Sequence, residues 1–205
     1  PLTTIKLLIA NFQEKSKPGS DDWTDLNVIQ EEIERINRLL SDFLNFAKPS
    51  LPKFEKILIS EIISRILTIV NPRIKEKNIQ IVSIFKDEPY LEADKDQLQQ
   101  VFLNLLLNAI EALPDQNGQI SFKGEKKVKK GQAYYQILVE DNGKGIRDEI
   151  LPKIFEPFFS ETGKGTGLGL FIVHRLVENH RGFIEAYNQL YGGATFSIYL
   201  PLEKG

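Results

Sequence analysis

The 205-residue sequence predicts an α+β chain in two parts: a two-helix hairpin over residues 1–50, then an α/β sandwich over 54–205 with its helices on one face of a mixed sheet. Three observations predict it. Leu26, Ile29, Ile33, Ile36, Leu40, Phe43 and Ala47 recur at alternating spacings of three and four, the seam of a coiled coil or helix bundle. Pro49 and Pro52 then stop that pattern. Beyond Phe54, short apolar runs with strand spacing alternate with helical ones.

In chain order, Leu2, Ile5, Leu8, Ile9 and Phe12 form a first helical stripe, and Lys15 to Asp22, with Pro18-Gly19, reads as the turn into the second helix. Two helices cannot bury two such seams alone, so a second copy is expected to complete a four-helix bundle; one long helix packed on its own globular domain is the alternative. In the second part, Ile57–Ile59, Ile79–Phe85 and Tyr90–Ala93 read as strands and Glu61–Val70 as a helix. Asp94 opens the strongest helix with Gln97 as its capping partner, and Pro114 ends it. Strands follow at Gln119–Lys123 and Tyr134–Glu140, separated by a solvated loop bearing Lys126, Lys127, Lys129 and Lys130. A helix over Gly167–His180, closed by Gly182, and strands at Phe183–Tyr187 and Ala194–Leu200 complete the set.

Composition removes several function classes. A net charge of −2 is not that of a nucleic-acid-binding surface. With no cysteine there is no disulfide, thiolate nucleophile or Cys-based zinc site, and two histidines are too few for a histidine-rich metal site. No apolar run approaches the roughly 20 residues that span a bilayer, and no signal peptide is recognised, so any membrane attachment is expected from segments outside this sequence.

Three segments carry chemistry. The helix after Asp94 is apolar nearly all round, leaving one polar stripe of Gln97, Gln100, Asn104, Asn108 and Glu111. Amide oxygens on such a helix suit Mg²⁺, which takes hard oxygen ligands together with water and phosphate; a plain solvent-facing stripe fits the spacing equally well. Next, Asp141-Asn142-Gly143-Lys144-Gly145 follows an apolar strand, so the backbone can pass close to a flat ligand while the acid accepts its amino hydrogens. Finally, Gly163-Lys164-Gly165-Thr166-Gly167-Leu168-Gly169 runs into a helix, where backbone amides and the helix N-terminus favour phosphate. It has neither the Walker A spacing nor the preceding strand of a dinucleotide-binding turn.

In order, Asn104 to Ala112, Asp141 to Gly145, Phe155-Glu156-Pro157-Phe158-Phe159 and Gly165 to Gly169 resemble the asparagine, first glycine, phenylalanine and second glycine boxes of sensor histidine kinases. The likeness covers residues 54 to 201 and is nearest the short-lid nitrogen-regulation and sporulation kinases. Pro1-Leu2-Thr3 is similar to the tail of the family's histidine box, which implies a phosphoacceptor histidine five positions before Pro1 and no catalytic residue within the chain itself.

The resemblance implies the fold of the histidine kinase and Hsp90-like superfamily and a dimerisation arm over residues 1–50. ATP and Mg²⁺ are the implied cofactors. Asn108 would hold the metal with Asn104 assisting. Asp141 would accept from the adenine amino group, flanked by Gly143, Gly145 and Ile146. Gly165, Thr166, Gly167, Leu168 and Gly169 would line the phosphates, with Glu111 completing the ATP-binding set. Residues 144 to 166 would form the lid, anchored by burial of Phe155, Phe158 and Phe159. Ser160-Glu161-Thr162 departs from the family's Thr-Thr-Lys, leaving Lys164 to substitute. Asn104 stands where clamp-type ATPases carry a water-activating Glu. The implied activity is autophosphorylation of a histidine on the arm and transfer to a response-regulator aspartate, in a cytoplasmic homodimer that an inhibitor protein could also bind. A clamp-type ATPase and a nucleotide-binding scaffold are the alternatives. His174 and His180 are expected to be structural.

Overall fold

The structure is a computed structural model that describes residues 2–17, 19–30, 32–33, 36, 51–161, 166–190 and 192–202. The chain divides into two compact units, Pro1–Pro49 and Ser50–Gly205. In the first, helix α1 (Leu2–Lys15) leads through a turn with Gly19 at φ +84° into α2, helical over residues 21–30. Ser20 opens α2 by accepting the Trp23 N–H on its hydroxyl, and Gln13 donates to Asn27 at 2.8 Å across the hairpin. Ile9 and Ile33 are buried, whereas Leu7, Leu8, Phe12, Val28 and Ile29 remain exposed. The seam residues Leu40, Phe43 and Ala47, and the stop at Pro49, lie outside the described residues.

The second unit contains β1 (Glu55–Ile57), α3 (Ile59–Glu76), β2 (Gln80–Phe85), β3 (Leu91–Ala93), α4 (Lys95–Ala112), β4 (Gln119–Lys129), β5 (Gln132–Asp141), α5 (Gly169–Asn179), β6 (Phe183–Asn188) and β7 (Ala194–Pro201). Five strands form a mixed sheet in the order β2-β4-β5-β7-β6, parallel only between β2 and β4; β1 and β3 pair separately. Alternation decides the faces. Ile120, Phe122, Ile137, Val139, Phe196 and Ile198 point to the helices and join Leu98, Val101, Phe102, Leu105 and Leu106 of α4 in one buried core. The opposite face is polar and aromatic: Gln136 donates to Ser197 and Tyr199, and Lys129 lies over the stacked rings of Phe183 and Tyr199.

Two elements run longer than the sequence suggests. Helix α3 starts at Ile59 and continues through Pro72 to Glu76 instead of ending at Val70. An interior proline costs about 3 kcal/mol. Here Ile66, Val70 and Ile74 pack on the core on one face, and Asn78 supplies the left-handed step at φ +50° that ends the helix. The lysine segment is not a loop. It forms the outer rungs of a hairpin that pairs Gln119–Lys129 with Gln132–Asp141, and only Lys130 (φ +51°) and Gly131 (φ +78°) make the turn. Lys127 pairs with Glu125 on the same strand and Lys129 with Glu185 of β6, and these partners offset a charge run that reads as loop.

Asp94 starts α4 as the sequence predicts, its Oδ1 accepting the Gln97 N–H at 2.9 Å. Its Oδ2 also accepts the Lys53 N–H at 2.7 Å, and its own N–H donates to His180 Nε2 at 2.9 Å. An acceptor Nε2 leaves the proton on Nδ1, which donates to the Leu176 carbonyl at 2.7 Å. His180 is therefore a neutral buried linker between α4 and α5, and burial lowers its pKa below the ordinary 6.5.

Candidate functional site

Asp141 ends the central strand β5 pointing to the helix side of the sheet, and is only 5% exposed. Its Oδ1 accepts the Gly143 N–H at 2.8 Å and makes a long contact, 3.4 Å, with the Ala194 N–H. Oδ2 accepts no hydrogen bond from the described residues, which leaves one oxygen of a largely buried carboxylate for a ligand donor. Burial pushes its pKa upward, and the two backbone N–H groups hold that shift back.

The glycines here are required by close approach. A Cβ on Gly143 would meet the Ala112 carbonyl oxygen at 2.4 Å, because the chain crosses the C-terminus of α4, where Lys144 donates its N–H to the same oxygen. A Cβ on Gly193 (φ +92°) would meet the Asp141 carbonyl oxygen at 1.9 Å. Gly193, Ala194 and Gln189, whose amide donates to the Asp141 carbonyl at 3.1 Å, build the wall behind Asp141. Sequence reasoning missed all three, although the Gly192-Gly193 pair before the last strand signals such an approach.

Helix α4 places Asn104 and Asn108 one turn apart, both half-buried, with Glu111 exposed one turn on. Asn104 donates to the Gly169 carbonyl at 3.3 Å, joining the amide stripe to the first residue of α5. Gly167 (φ +67°) lies against the main chain of Phe158, and Leu168 donates its N–H to the Thr166 hydroxyl at 3.2 Å. The N-cap residue Leu168 supplies no side-chain cap to α5, and the start of such a helix favours an anion. Gly145 and Ile146 lie at the start of the intervening segment, against Asn188. Lys164 and Gly165 lie outside the described residues.

The three phenylalanines divide. Phe155 packs edge-on to Phe196 and beside His174, and Phe159 is packed against the core. Phe158 is 64% exposed at φ +64°, so burial does not hold its ring as the sequence suggested; its main chain is what Gly167 packs on. Glu161 joins the two ends of the segment, accepting from Arg147 Nε at 2.9 Å and lying 3.5 Å from Lys144 Nζ. No group of three or more His, Cys, Asp or Glu able to hold a metal exists among the described residues. No helix among them is long and apolar enough to cross a membrane.

Residues 93–204 match the family described as histidine kinase-, DNA gyrase B- and HSP90-like ATPase. The sensor histidine kinase ZraS of Escherichia coli K12 is 36% identical over 203 residues, covering 98% of this chain and 43% of ZraS. Sporulation kinase D of Bacillus subtilis 168 is 34% identical over 204 residues, covering 98% and 39%. The chain thus spans less than half the length of these curated relatives. The nucleotide-free catalytic domain of histidine kinase ThkA superposes with a TM-score of 0.65 at 31% identity, covering 73% of this chain and 95% of that domain. ThkA in complex with the response regulator protein TrrA superposes with a TM-score of 0.74 at 26% identity, covering 98% and 57%. A free carboxylate oxygen, two glycine approaches and an amide stripe lie in a fold shared with 95% of such a domain. The chain belongs to the histidine kinase-, DNA gyrase B- and HSP90-like ATPase family, and its second unit is the ATP-binding catalytic domain of a histidine kinase.

Proposed function

We propose that this chain is the catalytic region of a two-component sensor kinase that binds ATP with Mg²⁺ and presents the γ-phosphate to a histidine of the helical arm, from which it passes to a response-regulator aspartate. The observation that carries this reading is the largely buried Asp141, whose Oδ2 is left unengaged beside the Gly143 approach. A carboxylate in that position accepts the adenine amino hydrogens, and its charge strengthens the bond. Gly143, Gly145 and Ile146 flank the base. Gly167 to Gly169 and the first turn of α5 receive the phosphates; the resemblance assigns Lys164, Gly165, Thr166 and Glu111 to the same ligand.

The chain fits a magnesium ion on one condition. Asn108 is its donor, with Asn104 beside it, so phosphate oxygens and water must complete the shell, as Mg²⁺ usually requires. When bound, the ion neutralises phosphate charge. The protein's own contribution is positioning and fixed backbone dipoles. Asn104 holds the Gly169 carbonyl and carries no acidic group to activate water, which favours phosphotransfer over the hydrolysis of a clamp-type ATPase.

We infer that the open apolar face of the first unit (Leu8, Phe12, Val28, Ile29) is covered by a second copy, giving a homodimeric bundle to which a response regulator docks. The complex of ThkA with its regulator supports that partner class. We place this region in the cytoplasm, where ATP is available. Calorimetric titration with a non-hydrolysable ATP analogue tests the reading. Binding that weakens on removal of Mg²⁺ is expected; a folded chain giving no binding heat at saturating nucleotide overturns it.

A further inference from the structure

Asn188 is the last residue of β6, paired in register with Ala194 at the start of β7. Ala194 is the residue whose N–H approaches Asp141 Oδ1, so Asn188 is one rung from the carboxylate assigned to adenine. Its side chain leaves the sheet and grips the loop after Asp141. Oδ1 accepts the Ile146 N–H at 2.8 Å, and Nδ2 donates to the Ile146 carbonyl at 2.6 Å. One primary amide thus satisfies both backbone groups of a single residue, as an adjacent strand would. Nδ2 also lies 3.4 Å from Asp148 Oδ1.

The neighbouring glycine gives this clamp a second consequence. A Cβ on Gly145 (φ +72°) would stand 2.9 Å from Asn188 Oδ1. Glycine is therefore needed there for its dihedral and also because the amide occupies the space a side chain would take. Beyond Ile146, the Arg147 carbonyl accepts the Ile150 and Leu151 N–H groups, and its side chain pairs with the exposed Glu161. Asn188 is the sheet residue that bonds the main chain where the segment toward the second glycine box begins; Ile146 and Phe155 also hold that segment, by packing against the core.

We propose that Asn188 is a positioning residue of the nucleotide site: by clamping Ile146 to the end of β6, it fixes the hinge from which the lid segment leaves the sheet, and so sets how long nucleotide is retained. This rests on the ATP-binding reading above. Loss of the clamp frees Gly145 and Ile146 to move away from the base while leaving Asp141 and its two donors in place. Nucleotide then escapes faster, and the fold is little changed, because Asn188 lies at the end of an edge strand with no core packing.

The test uses the full chain with Asn188→Ala and Asn188→Asp and three readouts. Hydrogen exchange at the Ile146 amide is followed by NMR in nucleotide-free protein, dissociation of a fluorescent ATP analogue by stopped flow, and melting by circular dichroism. Asn188→Ala is expected to speed Ile146 exchange and analogue dissociation, each by about tenfold, the effect of losing two neutral hydrogen bonds. Asn188→Asp keeps an acceptor for the Ile146 N–H but loses the donor and faces Asp148. Its amide should stay protected while analogue dissociation still accelerates, and this variant carries the test should Asn188→Ala fail to fold. A deprotected Ile146 with dissociation within twofold of the parent chain overturns the proposal. So does an unchanged Ile146 exchange rate in Asn188→Ala, which means the clamp is not made in solution. Failure of the parent chain itself to bind the analogue sinks the ATP reading, and the proposal with it, whereas the exchange readout still decides the clamp alone.

Discussion

Replacing Asp141 by asparagine separates recognition from folding at the centre of the site. The asparagine oxygen can take the place of Oδ1 and keep the Gly143 N–H bond of 2.8 Å and the longer contact from Ala194. What changes is the other position, where an NH₂ donor replaces the free oxygen and, on the proposed reading, faces the adenine amino group. The loss is one charge-assisted hydrogen bond, about 1.5–3 kcal/mol. At about 1.4 kcal/mol per decade, ATP affinity should fall roughly tenfold to a hundredfold. Stability should move the other way. Burial raises the Asp141 pKa above its ordinary 3.8, so the folded chain holds that proton more tightly than the unfolded one. The stabilising protonated form is present below pH 3.8 and is lost as pH rises through the folded value, leaving a buried charge at neutral pH. Asparagine removes that charge. Calorimetry with an ATP analogue and thermal melts at pH 7 should therefore show weakened binding with an equal or higher melting temperature. Affinity within twofold of the parent chain, or a variant that melts well below it, refutes the reasoning.

Gly193→Ala should reduce ATP binding more than tenfold and lower the melting temperature, since its Cβ would stand 1.9 Å from the Asp141 carbonyl oxygen at φ +92°; calorimetry and a melt check both effects. His180 is neutral in the fold and its pKa is lowered, so the stability it contributes is present above pH 6.5 and is lost as pH falls through the folded value. Melts between neutral and acidic pH should show that loss, and His180→Gln, which retains an acceptor for the Asp94 N–H, should flatten it. Glu161→Gln should alter the melting midpoint little, because exposed ion pairs contribute about 0–1 kcal/mol. It should also reduce the salt dependence of nucleotide dissociation measured by stopped flow.

What could be read from the sequence follows from how locally each feature is encoded. The start of α4 is legible because Asp94 and Gln97 lie within one turn, and the cap forms between them. The strands at Gln119–Lys123 and Ala194–Leu200 are legible because large apolar residues recur at every second position, in Ile120-Phe122 and Phe196-Ile198-Leu200. The outer half of the β4–β5 hairpin is not, because Lys129 finds its partner, Glu185, on a strand far along the chain. Pro72 misleads for the same reason: the packing that offsets its local cost comes from residues far along the chain. At the site, Asp141, Gly143 and the Asn104–Asn108 stripe announce themselves by motif. Asn188 and Gly193 do not, since each owes its place to a contact some fifty residues away, between Asp141 and Gly193, or forty-two, between Ile146 and Asn188.

Asp94 commits its two carboxylate oxygens and its N–H to three separated stretches of chain: Lys53, Gln97 and His180. Such a residue acts as a rivet. Traction on the segment at Lys53 cannot be absorbed there, because the same acid that holds it also closes the first turn of α4, and its amide is anchored to the last turn of α5. Any slippage must uncap one helix or detach the other, so these three stretches shift as a group or do not shift at all. The amide stripe lies further along the first of those helices and the glycine-led first turn of α5 at the far end of the second, so both are carried on helices fastened to one aspartate.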